Sequence, residues 1–116
     1  HKIVFMHHPM CLQDVKEDSS YFNMSPKPRS KLLELFHKYN VDIVFSGHYH
    51  RNAYVKDGEL ELVTTSSSGK PLGEDPIGFR IVKVYPDRIE HKYYSYKEMP
   101  KKVNLTSYTK KLNKDQ

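Results

Sequence analysis

The chain has 116 residues, of which 37% are hydrophobic and 28% charged, and a formal net charge of +5. That is one modest domain's worth of chain, with less apolar material than the usual ~45–50% but too much for a disordered polyelectrolyte. No apolar run approaches the ~20 residues of a membrane span, and the single cysteine, Cys11, excludes an internal disulfide framework.

In chain order, Lys2 to His7 is a short apolar run with β-branched residues and predicts a buried strand. His8 to Ser25 is polar and carries Pro9, and reads as a long loop of the kind that often holds function. Ser25-Pro26 supplies a helix cap and an N1 proline. Leu32, Leu33, Leu35, Phe36 and Tyr39 then form an apolar stripe, and Asn40 is a stop signal. Val41 to Ser46 is a second apolar strand, so strand, helix, strand predicts a parallel crossover unit. Asn52–Lys56 and Glu59–Thr65 flank Asp57-Gly58 as a hairpin. A polar loop from Ser66 to Pro76 follows. Phe79–Tyr85 and Arg88–Tyr94 alternate apolar and polar around Pro86-Asp87 and predict a second antiparallel hairpin. A short helix is expected after Ser95. Residues 101–116 form a basic tail; from Lys97 onward six lysines face only Glu98 and Asp115. With no Trp and no aromatic interleaving, this tail predicts a solvated segment, not a nucleic-acid groove. A self-contained basic binding module with at most one weak metal site is the alternative to an enzyme.

Histidine is the outlier, with seven residues. Gly47-His48-Tyr49-His50 stands directly after the second strand, where open α/β sheets place their ligands. His7-His8-Pro9 ends the first strand, on the same sheet edge if the strands are parallel. Neutral imidazole is a good ligand for zinc, iron, manganese or nickel, and three histidines can make a zinc site with an open position. His7 is preferred to His8, because the proline after His8 is expected to turn it outward. His37 and His91 read as exposed or packed side chains, and His1 carries no interpretation.

An H-x-P at one strand end, followed some forty residues later by G-H-x-H at the next, resembles the closing half of the calcineurin-like metallophosphoesterases. Residues 21–25, 44–53, 72–80 and 91–95 resemble one branch of that family, which acts on phosphoserine and phosphothreonine in proteins. The resemblance implies residues 1–100 as the C-terminal part of a phosphoesterase domain. Its fold is then the C-terminal half of a four-layer α/β/β/α sandwich, a mixed sheet with antiparallel hairpins flanked by helices. It also implies a site of two divalent ions (Fe, Mn or Zn), with His7 and His48 on one ion and His50 on the other. Tyr49 and Arg51 would line the substrate entrance. The family's D-x-H, G-D-x-x-D and G-N-H motifs are absent from this sequence, so its catalytic residues are expected upstream of His1. The expected partner is a phosphoprotein substrate, with no nucleic acid and no membrane, and the expected setting is the cytoplasm.

Overall fold

Strands and helix fall where the hydrophobic pattern puts them, although the first strand, expected to be buried, is only partly so and leaves Phe5 exposed. The computed structural model describes residues 1–105, so most of the expected tail lies outside the described residues. The elements are β1 (Ile3–Phe5), α1 (Pro26–Lys38), β2 (Ile43–Ser46), β3 (Ala53–Asp57), β4 (Leu60–Thr64), β5 (Gly78–Val84) and β6 (Ile89–Ser95). A single 3₁₀ turn, Tyr96–Glu98, ends the series.

Two sheets result, one of order β1-β2-β4-β3 and one of order β5-β6. β1, β2 and β4 are parallel, with Val4 opposite Val44 and Val44 opposite Leu62. The right-hand edge is closed by the antiparallel β3–β4 hairpin, Asp57 opposite Leu60. The two-residue turn is therefore Gly58-Glu59, one position beyond the Asp57-Gly58 expected from sequence. Gly58 has φ +62° while Glu59 stays on the ordinary side, which is the signature of a turn with glycine at its first central position.

α1 starts as the sequence predicts, with Ser25 at the cap, Pro26 inside it and Arg29 N–H donating to Ser25 O at 3.0 Å. Pro26 and Pro28 sit where the backbone N–H would lack a helical partner in any case. The helix ends with Asn40 in the left-handed region, φ 54°. Asn40 N–H bonds His37 O and Val41 N–H bonds Phe36 O, a Schellman closure in which Val41 and Phe36 also join one apolar cluster.

Strand alternation sorts side chains to two faces. Val44, Val55, Leu60 and Leu62 meet Leu33 and Phe36 of α1, together with Met10 and Cys11 of the loop after β1. On the opposite face Ile43, Phe45 and Val63 meet Ile3 and, from the second sheet, Ile89. β2 is thus buried on both sides, which explains its unbroken Ile-Val-Phe run. Leu35 and Tyr39, expected on the apolar stripe, are exposed, and the buried face is instead Arg29, Leu33 and Phe36. The layers are helix, four-stranded sheet, two-stranded sheet. Among the described residues α1 is the one α-helix, so no fourth layer covers β5–β6; the chain has a single stretch with helical apolar spacing. None of its helices is long and apolar enough to cross a membrane among the described residues.

The seam between the sheets is polar. Arg80 donates to Thr65 Oγ1 at 2.9 Å, to Asn52 Oδ1 at 3.2 Å and to His91 Nδ1 at 3.0 Å. Because Arg can only donate, His91 Nδ1 is an acceptor and Nε2 carries the proton, facing Glu61 Oε1 at 3.4 Å.

Candidate metal centre

Two backbone bonds carry the β1–β2 pairing past the end of the strands: Met6 N–H to Phe45 O at 2.9 Å and Gly47 N–H to His7 O at 3.0 Å. They clamp the C-terminal ends of the two parallel strands together, with His7 on one and His48 on the other. The chain is already bending at His7 and His8, so strict alternation no longer applies and both rings reach the same side. Ring centroids are 4.9 Å apart for His7–His8, 4.9 Å for His7–His48 and 4.1 Å for His8–His48. One nitrogen from each of the three lies within 4.8 Å of the others.

The loop holding His48 is strained. Tyr49 N–H donates to Gly47 O at 2.6 Å, closing a three-residue γ-turn centred on His48. His48 has φ 63° and His50 has φ 55°, so the left-handed positions fall on the two histidines and not on Gly47. Non-glycine residues held this way cost about 1–3 kcal/mol each and gather at functional sites.

His48 Nε2 lies 3.1 Å from the Tyr21 carbonyl. A carbonyl only accepts, so Nε2 carries the proton and Nδ1 keeps the lone pair a metal needs. His50 is placed differently: its Nδ1 donates to Lys70 O at 2.6 Å, away from the three-ring cluster, which leaves its lone pair on Nε2. His8, set behind His7 in the sequence reading, stands in the cluster with His7 and His48. Burial first, and then the neighbouring His48 and His7 imidazoles, hold the His8 pKa below its ordinary value. His37 pairs with Asp57 at 2.8 Å, and both it and His91 lie outside the cluster.

Tyr21 and Phe22 wall the site, with ring centroids 5.0 and 5.7 Å from His48. Phe22 also meets Tyr49 at 5.2 Å. The Arg51 guanidinium lies over Tyr49 at 4.0 Å and over Phe22 at 5.0 Å, its Nε donating to Tyr49 O at 3.3 Å. The loop from Ser66 to Pro76 closes behind it; a side chain at Gly73 would meet Arg51 Cδ at 2.7 Å.

What holds this wall is Arg29, whose burial sequence reading missed although it shares a helix face with Leu33 and Phe36. It is 1% exposed and donates to four loop carbonyls: Met10 at 2.7 Å, Val15 at 3.0 Å, Glu17 at 2.6 Å and Met24 at 2.6 Å. Glu17 completes the loop by accepting from the N–H groups of Leu12, Gln13 and Asp14 and from Asn23 Nδ2. A cleft of about 410 Å³ lies elsewhere, between the sheets among Phe5, Phe45, Ser66, Phe79 and Arg80, and none of these histidines lines it.

The imidazoles gathered at the C-terminal ends of adjacent parallel strands are a nitrogen-donor group of the kind that could hold a metal ion. The donor set fits one ion: three neutral imidazoles, with no carboxylate in the group among the described residues. Sequence comparison narrows the class further. Over most of its length the chain is similar to curated proteins named serine/threonine-protein phosphatases. Serine/threonine-protein phosphatase CPPED1 of Homo sapiens is 46% identical over 103 residues, or 88% of this chain. Its counterpart in Rattus norvegicus is 42% identical over 102 residues, and that in Danio rerio 39% over 99 residues. The chain spans about a third of the length of these relatives, 32–33%. No protein-family profile matches the chain, and no solved structure does.

Proposed function

We propose that this chain is the histidine-bearing part of a metal-dependent phosphoesterase that removes phosphate from phosphoserine or phosphothreonine in proteins, in the cytoplasm. The observation that carries the proposal is the convergence of His7 and His48 at adjacent strand ends, in a chain whose relatives are named serine/threonine-protein phosphatases. His7 and His48 would hold one divalent ion (Fe, Mn or Zn in the complete protein) and His50 a second, and such ions would supply Lewis acidity for phosphoester hydrolysis.

The chain's own residues do the rest. His7 and His48 are neutral donors that leave a bound ion its full charge, and the Tyr21 carbonyl fixes the His48 tautomer. Tyr21 and Phe22 flank the His48 ring, and Tyr49 packs against Phe22. Arg51, stacked between Tyr49 and Phe22, keeps a planar guanidinium in place at the entrance, where it can pair with two phosphate oxygens.

A two-ion centre needs more than the described residues bring together, since two dications in one site repel and the cluster has no carboxylate to offset them. That favours a second reading for the chain by itself: one ion bound and negligible turnover. The test is a chimera in which this chain replaces the matching third of the human relative. Phosphate release from a phosphoserine peptide should be abolished by chelation and restored by added metal, whereas the isolated chain stays inactive. Metal-independent turnover by the chimera contradicts the proposal.

A further inference from the structure

We propose that His8 is itself a metal ligand: His7, His8 and His48 form a three-imidazole site that captures one divalent transition-metal ion without any carboxylate and without His50. This rests on the phosphoesterase reading only for the presence of a metal near His7 and His48; the third donor follows from the geometry alone.

Three observations carry it. First, the three rings meet pairwise, and the His8–His48 separation of 4.1 Å is the shortest of the set. Three nitrogens of a tetrahedral zinc shell, each ~2.0–2.1 Å from the ion, lie about 3.3 Å apart. The donor atoms here already fall within 4.8 Å, so small side-chain rotations close the shell with no movement of the strands. Second, His7 and His48 are fixed independently of any ion, His7 through Gly47 N–H on its carbonyl and His48 through Tyr21 O. His8 is anchored by its own neighbour, since Pro9 is buried and accepts Met24 N–H at 2.9 Å. The proline that sequence reading expected to turn His8 outward instead holds the chain where His8 faces the other two. Third, the His50 ring, held through its Nδ1 on Lys70 O, lies outside the group of three.

The donor set decides the ion. Three neutral nitrogen ligands select borderline metals such as Zn²⁺ or Co²⁺ over Mg²⁺ or Ca²⁺, which prefer oxygen. Three ligands also leave a fourth position open, and the site keeps the whole +2 charge, so its natural fourth occupant is water or an anionic oxygen.

The test is Co²⁺ titration of the purified 116-residue chain, read by its visible ligand-field absorption, with Zn²⁺ competition to give affinity. The wild type should bind one ion with the intense bands of a four-coordinate site. His8→Ala and His8→Phe, the second filling the space without a lone pair, should each weaken binding by 10-fold or more, as should His7→Ala and His48→Ala. His50→Ala should change it by less than about 2-fold. Circular dichroism of each variant reports whether the fold is kept. If the His8 variants keep the fold and bind like wild type while His7→Ala and His48→Ala weaken binding, His8 is not a ligand and the phosphoesterase reading stands. If His50→Ala costs as much as His48→Ala, or the wild type binds no ion, the three-imidazole site is wrong. The chimera's metal-dependent activity is scored separately.

Discussion

Removing the Arg29 side chain is the sharpest structural perturbation available. Its guanidinium is buried and donates to four carbonyls of the loop between β1 and α1, with no carboxylate among those partners. Hydrogen bonds to a charged group are worth about 1.5–3 kcal/mol each, so the four sum to about 6–12 kcal/mol gross. The loop is at the surface and can relax, letting water reach some of the carbonyls. The net cost of Arg29→Ala should therefore fall near the about 3–5 kcal/mol seen when one partner of a buried charged network is deleted. With a urea slope of about 1–2 kcal/mol per molar for a domain of this size, the unfolding midpoint should drop by about 2 M. The chain has no Trp, so far-UV circular dichroism is the appropriate signal. Arg29→Lys should recover only a fraction, because one ammonium cannot span four acceptors in a fixed fork. A midpoint shift below about 0.5 M would refute the claim that this residue organises the loop.

Cys11 is 2% exposed, and burial pushes its thiol up to about 12, so a disulfide reagent at pH 8 should label it only after denaturant is added; rapid labelling of the native chain contradicts its place in the core. Burial tends to raise the Glu17 pKa, but the Asp14, Gln13 and Leu12 N–H groups and Asn23 outweigh it and hold the carboxyl below its ordinary 4.5. A depressed carboxylate stabilises the fold fully above its unfolded pKa and loses that contribution as pH falls through the folded value. The difference in urea midpoint between wild type and Glu17→Gln should accordingly be constant from pH 7 to 5 and shrink on acidification below pH 4.5; a difference that persists at pH 3 contradicts the loop's dependence on that charge.

Much of the fold is legible from local pattern. β2 could be recognised because a strand buried on both faces is apolar throughout, and the two hairpins because turn residues separate alternating runs. The convergence of His7 and His48 followed from parallel strands sharing an edge. Four features escaped for physical reasons. The Gly58-Glu59 turn is displaced by one residue because hairpin register is set by the Leu60 and Leu62 side chains on the core, which the turn must accommodate. Arg29 drew no attention in the sequence because composition cannot show that four carbonyls await a guanidinium. His8 was set behind His7 on the strength of Pro9, yet its ring stands beside His7 and His48; the backbone there is braced by Met24 N–H on Pro9 O, a contact across the loop that no local rule predicts. The left-handed conformation of His48 and His50 is equally invisible to propensity, since Gly47, directly before His48, would be the default for it.

The account turns on His48 as a metal-holding residue of a phosphoesterase, and the chimera with the human relative tests that most directly. His48→Ala in the chimera should leave circular dichroism unchanged and lower phosphate release from a phosphoserine peptide by at least about 100-fold, as loss of a group that holds the ion demands. Turnover within about 2-fold of the parent chimera, with the fold and metal content intact, would contradict it.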